Sequence, residues 1–282
     1  MLTRRTLLVG GLVGVAASGC GVDTVPVSQL PPTPDVAPGP VVLGEFTSRR
    51  RLGARVRWGV TRPPGVDGPL PLVVALHGHG GGVAQLFGPD LALPRYVAAA
   101  VAGGIPPFAL AVVNGGNGFW HERPTGEDGG AMVVEEFLPL LAGSADADVR
   151  AGAADRIGLL GWSMGGYGVL HLAPVLGADR VAAVCASSPG LYTDPTQAHP
   201  DGFADPAEYE RFSVMDRQAD LSGIPVRVAC GTRDYFFDAV ETYVEGFPDD
   251  ADLEVAFGDG AHELAFTRRS LPEDLGFVAS RL

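Results

Sequence analysis

Ile157-Gly158-Leu159-Leu160-Gly161-Trp162-Ser163-Met164-Gly165-Gly166-Tyr167-Gly168 is the stretch on which the fold turns. Ile157–Leu160 is a short apolar run of the kind a buried strand presents, and the residues from Met164 to Leu176 have the length and composition of a helix. Between them, Gly161-Trp162-Ser163-Met164-Gly165 has the form Gly-x-Ser-x-Gly. Such a segment puts its serine on a sharp strand-to-helix turn, and its glycines let strand and helix approach closely around that residue. A serine hydroxyl is a weak nucleophile and needs both a base and a stabiliser for the developing oxyanion. Ser163 is the candidate nucleophile; the alternative is a glycine-rich turn holding an ordinary serine.

The pattern on either side alternates strand and helix. Val41–Thr47 and Arg51–Thr61 read as two early antiparallel strands. In the second, Leu52, Ala54, Val56 and Trp58 alternate with polar positions, which is a half-buried period of two. Leu72–Leu76, Phe108–Val113, Val181–Ala186, Val226–Ala229 and Leu253–Phe257 read as further strands. Helices are expected over Pro94–Ala102, Gly130–Leu141, Asp238–Gly246 and Pro272–Leu282. This alternation predicts an α/β fold, with a mostly parallel central sheet covered by helices on both faces. Residues 187–223 break the rhythm with Pro189, Pro195, Pro200, Pro206 and several aromatics, and read as an insertion over the site.

The base is expected downstream of Ser163. His262, in Gly258-Asp259-Gly260-Ala261-His262, follows the last predicted strand directly. His171 lies on the helix after Ser163, and His199 in the proline-rich insertion. Asp234, in Gly231-Thr232-Arg233-Asp234, follows the preceding strand, where it can accept an imidazole N–H and fix its tautomer. Asp238 is the rival, better placed to cap the helix beginning there. The oxyanion hole needs two backbone donors. Met164 supplies one, and His79, in His77-Gly78-His79-Gly80, the other. His77-x-His79 alone, with no carboxylate or cysteine near it in sequence, is a weak metal pattern, so no metal and no cofactor are expected.

Asn114–Gly130 is a polar, glycine-rich loop after a predicted strand, on the edge where ligands bind to such sheets. Phe119, Trp120 and His121 within it are candidate substrate-binding residues, and Asp128 a candidate cap for the following helix.

Taken together, residues 41–282 resemble the esterase branch of the α/β hydrolases that holds the esterase D-like enzymes and the mycobacterial mycolyltransferase antigens. The resemblance is carried by His77-Gly78-His79-Gly80, Trp120-His121-Glu122-Arg123-Pro124, Glu135-Glu136-Phe137-Leu138-Pro139, Gly161 to Gly168, Gly231-Thr232-Arg233-Asp234 and Gly260-Ala261-His262-Glu263. It implies an α/β-hydrolase fold and hydrolysis of carboxylic esters through an acyl-enzyme. It names no substrate. An acyltransferase acting on a cell-envelope sugar or lipid, and a surface-anchored binding protein without activity, remain as alternatives.

Composition narrows the partners. The chain of 282 residues carries a formal net charge of −13, and all 20 of its basic residues are arginine. An acidic chain makes a poor nucleic-acid binder, and a chain without lysine has neither a Schiff-base amine nor a P-loop lysine. The N-terminus reads as an address. Arg4-Arg5 precedes an apolar run from Leu7 to Ser18, and Ala17-Ser18-Gly19-Cys20 resembles a lipobox. Residues 1–20 are expected to be a signal peptide, with Cys20 lipidated and holding the protein on the outer face of the cytoplasmic membrane. Six prolines between 21 and 40 suggest a stiff linker, and 41–282 the catalytic domain. Cys185 and Cys230 both lie in apolar strand runs, where buried thiols are the default and a disulfide the alternative.

Overall fold

The computed structural model describes residues 26–152 and 154–282. Residues 1–20 and Cys20 lie outside the described residues. Among the described residues nine strands make one sheet: β1 (Val41–Ser48), β2 (Ala54–Thr61), β3 (Leu70–Leu76), β4 (Ala109–Val113), β5 (Val149–Arg150), β6 (Ile157–Trp162), β7 (Val181–Ser187), β8 (Val226–Gly231) and β9 (Leu253–Gly258). The order across it is β1-β2-β4-β3-β6-β7-β8-β9, with the short β5 beside the start of β3. β1 and β2 run antiparallel, as does the β2–β4 pair; every other pairing is parallel. The expected architecture is therefore the observed one, an α/β-hydrolase fold with a mostly parallel sheet.

The strands read as continuous apolar runs because both faces are covered. In β3, Leu72, Val74 and Leu76 enter one core while Val73 and Ala75 enter the other. The period of two in a pleated strand divides them. The first core lies under α3 (Gly129–Met132), a π-turn over Val133–Phe137, α4 (Leu138–Ala142), α5 (Met164–Leu176) and α7 (Phe237–Glu245). The second lies under α1 (Val83–Phe87), α2 (Leu93–Ala102) and α8 (Leu264–Ala279). The remaining helix, α6 (Pro206–Phe212), belongs to the connection between β7 and β8.

Two local expectations are corrected. The C-terminal helix starts at Leu264, well before Pro272, and Pro272 lies inside it. A proline cannot donate to the carbonyl four residues back. Here that carbonyl, on Arg268, accepts the Tyr96 hydroxyl at 3.1 Å, so the helix passes through. Asp238 is in the first turn of α7, whose cap is Phe236, so it does not cap the helix. Cys185 and Cys230 are free and buried, as expected of thiols in apolar strand runs. Cys185 pairs with Arg227 across β7–β8, three residues from Cys230, and the two thiols enter opposite cores, out of reach of a disulfide.

The described part of the proline-rich segment lies along the domain. Leu30 is buried. Arg268 donates to the Pro31 carbonyl at 2.6 Å, and Arg95 to that of Val36 at 2.8 Å. Prolines bring carbonyls without N–H groups, so guanidinium donors on α2 and α8 suffice to hold them.

Candidate active site

β6 delivers Ser163 at its end, and α5 begins at the next residue. Ser163 has φ 56° and ψ −121°, a left-handed conformation rare for a residue with a Cβ. The turn is tight enough to require its glycines. A Cβ on Gly161 would lie 2.0 Å from the Gly165 carbonyl oxygen, and one on Gly165 would lie 2.0 Å from that of Leu76 in β3. The Ser163 N–H donates to the Ser187 carbonyl at 3.0 Å, extending the β6–β7 ladder, and its carbonyl accepts from Gly190 at 2.9 Å.

β8 and β9 bring in the other two groups. Their ladder ends at Gly231 opposite Gly258. The loops beyond remain tied, with Thr232 N–H donating to Gly258 and Arg233 N–H to Gly260, each at 2.8 Å. That pairing sets Asp234 beside His262. His262 Nδ1 lies 2.8 Å from Asp234 Oδ2, and His262 Nε2 lies 2.8 Å from Ser163 Oγ. The second carboxylate oxygen accepts the Phe236 N–H at 2.9 Å, which fixes the carboxylate plane. All three residues are at most 9% exposed. Three residues separated by up to 99 positions thus form one hydrogen-bonded chain, in the order expected from sequence.

The backbone around Ser163 also supplies N–H groups. Met164 is the first residue of α5, and the first N–H groups of a helix have no partner within it. The helix dipole adds partial positive charge at that end. The loop after β3 makes a turn closed by the Gly81 N–H on the Gly78 carbonyl at 3.0 Å, with Gly80 at φ +70°. The His79 N–H lies outside that closure. A Cβ on Gly78 would sit 3.3 Å from Ser163 Cβ, so the turn abuts the nucleophile.

His77 plays a different part. Its Nδ1 bonds the Gly78 carbonyl at 2.8 Å, and its Nε2 accepts the Gly115 N–H at 2.9 Å, so the proton sits on Nδ1. Complete burial pushes its pKa down to about 4, and the ring stays neutral. It staples the β3 loop to the 114–130 loop.

Within that loop the three candidate substrate residues are placed unequally. Trp120 is 1% exposed, and its ring fills the space that Gly115 and Gly168 leave open, edge-on to His77. His121 is equally buried, stacked between Phe203 and Phe212, and burial brings its pKa to about 4. Both lie behind the site, in the packing. Phe119 is nearer. A Cβ on Gly190 would touch it at 3.4 Å and the Met164 N at 3.5 Å. Its ring meets Tyr167 and Phe203 and so carries the β7–β8 connection. Asp128 does cap α3, accepting from Ala131 at 2.8 Å. Arg123 reaches from the same loop to Glu208 on α6 at 2.7 Å, with both side chains mostly buried.

Sequence reading missed the aromatic surround of His262. Trp162 stacks on the imidazole at 5.5 Å, Phe236 meets it edge-on at 5.1 Å, and Tyr235 lies 4.7 Å away. Tyr235 is 60% exposed, an aromatic on the rim beside the base. The signal was present in sequence: Trp162 precedes the serine, and Tyr235-Phe236 follows Asp234 directly.

The fold and these side chains define a buried Ser-His-Asp hydrogen-bonded chain on an α/β-hydrolase scaffold. No family model matches the chain, and no curated protein matches it. Solved structures do. A ferulic acid esterase aligns over 86% of this chain and 99% of its own, with 21% identity and a TM-score of 0.71. An S-formylglutathione hydrolase from Agrobacterium tumefaciens aligns over 90% and 99%, with 18% identity and a TM-score of 0.69. A fluorophosphonate-binding serine hydrolase, FphF of Staphylococcus aureus, aligns over 86% and 99%, with 16% identity and a TM-score of 0.64.

Proposed function

We propose that this chain is a serine hydrolase that cleaves carboxylic esters through an acyl-enzyme. The observation that carries the reading is the continuous relay from Ser163 Oγ through His262 to Asp234, two contacts of 2.8 Å each. Ser163 attacks the ester carbonyl while His262 Nε2 takes its proton. Asp234 holds the Nδ1 proton in place and stabilises the imidazolium that forms. The N–H groups of Met164 and His79 stabilise the oxyanion of the tetrahedral intermediate. His262 then gives its proton to the leaving alcohol, and water, activated by the same imidazole, releases the acid. The relay is largely buried among aromatic rings, which strengthens each electrostatic contact within it. Several neighbours in fold are named as esterases or serine hydrolases, in keeping with this chemistry.

A fluorophosphonate probe tests the proposal directly. Wild-type protein becomes covalently labelled and Ser163→Ala does not, while thermal unfolding of the two stays close. Absence of labelling in the wild type, or equal labelling of the variant, refutes it. The same relay would serve an acyltransferase if a sugar or lipid hydroxyl replaced water. Product analysis with added acceptor alcohols separates the two.

The N-terminal address supports a location. We propose that the chain is exported and anchored by a lipid on Cys20, on the strength of Arg4-Arg5, the apolar run and Ala17-Ser18-Gly19-Cys20. Incorporation of labelled fatty acid into wild type, lost in Cys20→Ser, is the expected result; incorporation into neither rules the anchor out.

A further inference from the structure

At the rim of the site, the turn after β3 meets the 195–203 stretch of the β7–β8 connection. His79 Nε2 lies 2.7 Å from Asp201 Oδ2. The His199 ring stands 4.5 Å from the His79 ring, and its Nδ1 accepts the Asp201 N–H at 3.2 Å. One donor atom from each of the three side chains lies within 4.8 Å of those of the other two.

We propose that His79, His199 and Asp201 form a divalent transition-metal site, suited to zinc, that clamps the β7–β8 connection to the turn beside Ser163. Two imidazoles and one carboxylate make a borderline donor set that favours zinc over the all-oxygen preferences of calcium and magnesium. A tetrahedral zinc site with bonds of about 2.1 Å places its donors roughly 3.4 Å apart. The observed spacing needs small side-chain rotations, and the residues are free enough to make them: Asp201 is exposed, and His79 and His199 are partly buried. In the metal-bound form His79 coordinates through Nε2 and carries its proton on Nδ1, so the ring stays neutral and the metal takes the place of the hydrogen bond to Asp201. The His199 ring is held against Phe119, stacked at 6.1 Å, which limits the entropy lost on ligation. Three protein donors leave the fourth position open.

This site is not the pair His77-x-His79 visible in sequence. Both nitrogens of His77 are taken by backbone groups. Asp201 and His199 reach His79 across 122 and 120 positions of the chain, which the fold alone brings together. The proposed ligands include the His79 side chain, while the oxyanion reading uses only its backbone N–H. The site stands whether or not Ser163 is a nucleophile.

The test is zinc titration of the untagged full chain by calorimetry, after treatment with a chelator. Wild type binds one equivalent of Zn²⁺, and His199→Ala/Asp201→Ala loses that equivalent. Zn²⁺ raises the unfolding midpoint of wild type and leaves that of the double variant in place. Asp201→Asn, a substitution of similar size at an exposed position, serves if the double variant folds poorly. It weakens binding by more than about tenfold, since even loss of an outer-shell partner costs that much. Absence of saturable binding, an unchanged equivalent in the double variant, or binding by Asp201→Asn within twofold of wild type overturns the proposal.

Discussion

Replacing Asp234 by asparagine tests the relay where its geometry is most constrained. Two contacts define the position: Oδ2 lies 2.8 Å from His262 Nδ1, and Oδ1 accepts the Phe236 N–H at 2.9 Å. An asparagine in the same rotamer has one acceptor and one donor. The Phe236 N–H demands the acceptor, so the amide NH₂ must face His262 Nδ1. Two N–H groups cannot point at each other, and the imidazole shifts to the tautomer with its proton on Nε2. That nitrogen then faces the Ser163 hydroxyl at 2.8 Å as a donor, unable to take a proton. A serine protease in which the same exchange was made lost roughly 10⁴ in turnover, about 5.4 kcal/mol of transition-state stabilisation. A loss of the same order is expected here. The assay is single-turnover labelling by a fluorophosphonate alongside steady-state hydrolysis of an activated ester, with circular dichroism and thermal unfolding to show that the fold is kept. A variant that folds and retains more than a tenth of wild-type turnover would refute the assignment of Asp234 and return the role to another carboxylate such as Asp238.

Further outcomes follow from the packing. Gly165→Ala puts a methyl carbon 2.0 Å from the Leu76 carbonyl of β3, a contact that backbone must move to relieve, so urea unfolding should show a loss of about 3 kcal/mol or more. Trp120→Ala empties the space bounded by Gly115 and Gly168, and a loss of about 3–5 kcal/mol is expected with little change in KM of the folded protein. Lost activity with an unchanged unfolding midpoint would instead put Trp120 back in the substrate wall. His77 and His121 are held neutral with pKa values of about 4 against about 6.5 unfolded, so the unfolded chain binds more protons between those values. Their contribution is complete well above pH 6.5 and is lost as pH falls toward 4, and the loss at pH 5 comes to about 2 kcal/mol each. Denaturant midpoints equal at pH 7 and pH 5 would rule out neutral buried imidazoles at these positions.

Much of this was legible in the sequence because it is local. A buried strand reads as an apolar run, a nucleophile turn as glycines flanking a serine, and each strand end marks the edge where loops collect. Ile157–Trp162 and Met164–Leu176 needed no tertiary information, since the crowding at Gly161 comes from Gly165 in the same turn, whereas that at Gly165 against Leu76 of β3 belongs to the sheet. Asp234 and His262 could be placed because each directly follows a strand. Chain order, and not distance, carried that expectation.

What stayed hidden depends on contacts between remote segments. A glycine-rich loop, Asn114–Gly130, that holds Phe119, Trp120 and His121 looks like a binding loop. Only the fold shows that Trp120 turns inward against Gly115 and Gly168 while Phe119 faces the β7–β8 connection. Pro272 reads as a helix start, because the sequence cannot show Tyr96 arriving to take the freed Arg268 carbonyl. His79 looked like a histidine without ligating partners until Asp201 and His199 were carried to it by the chain's return over the sheet. By itself the sequence determined the strand–turn–helix around Ser163, the class of fold and the residues that meet there, because backbone sterics and hydrophobic period act over a few residues. The tertiary structure alone decided which side chains stand in the site, which stand behind it, and which reach one another across the rim, because those choices belong to packing between segments far apart in the chain.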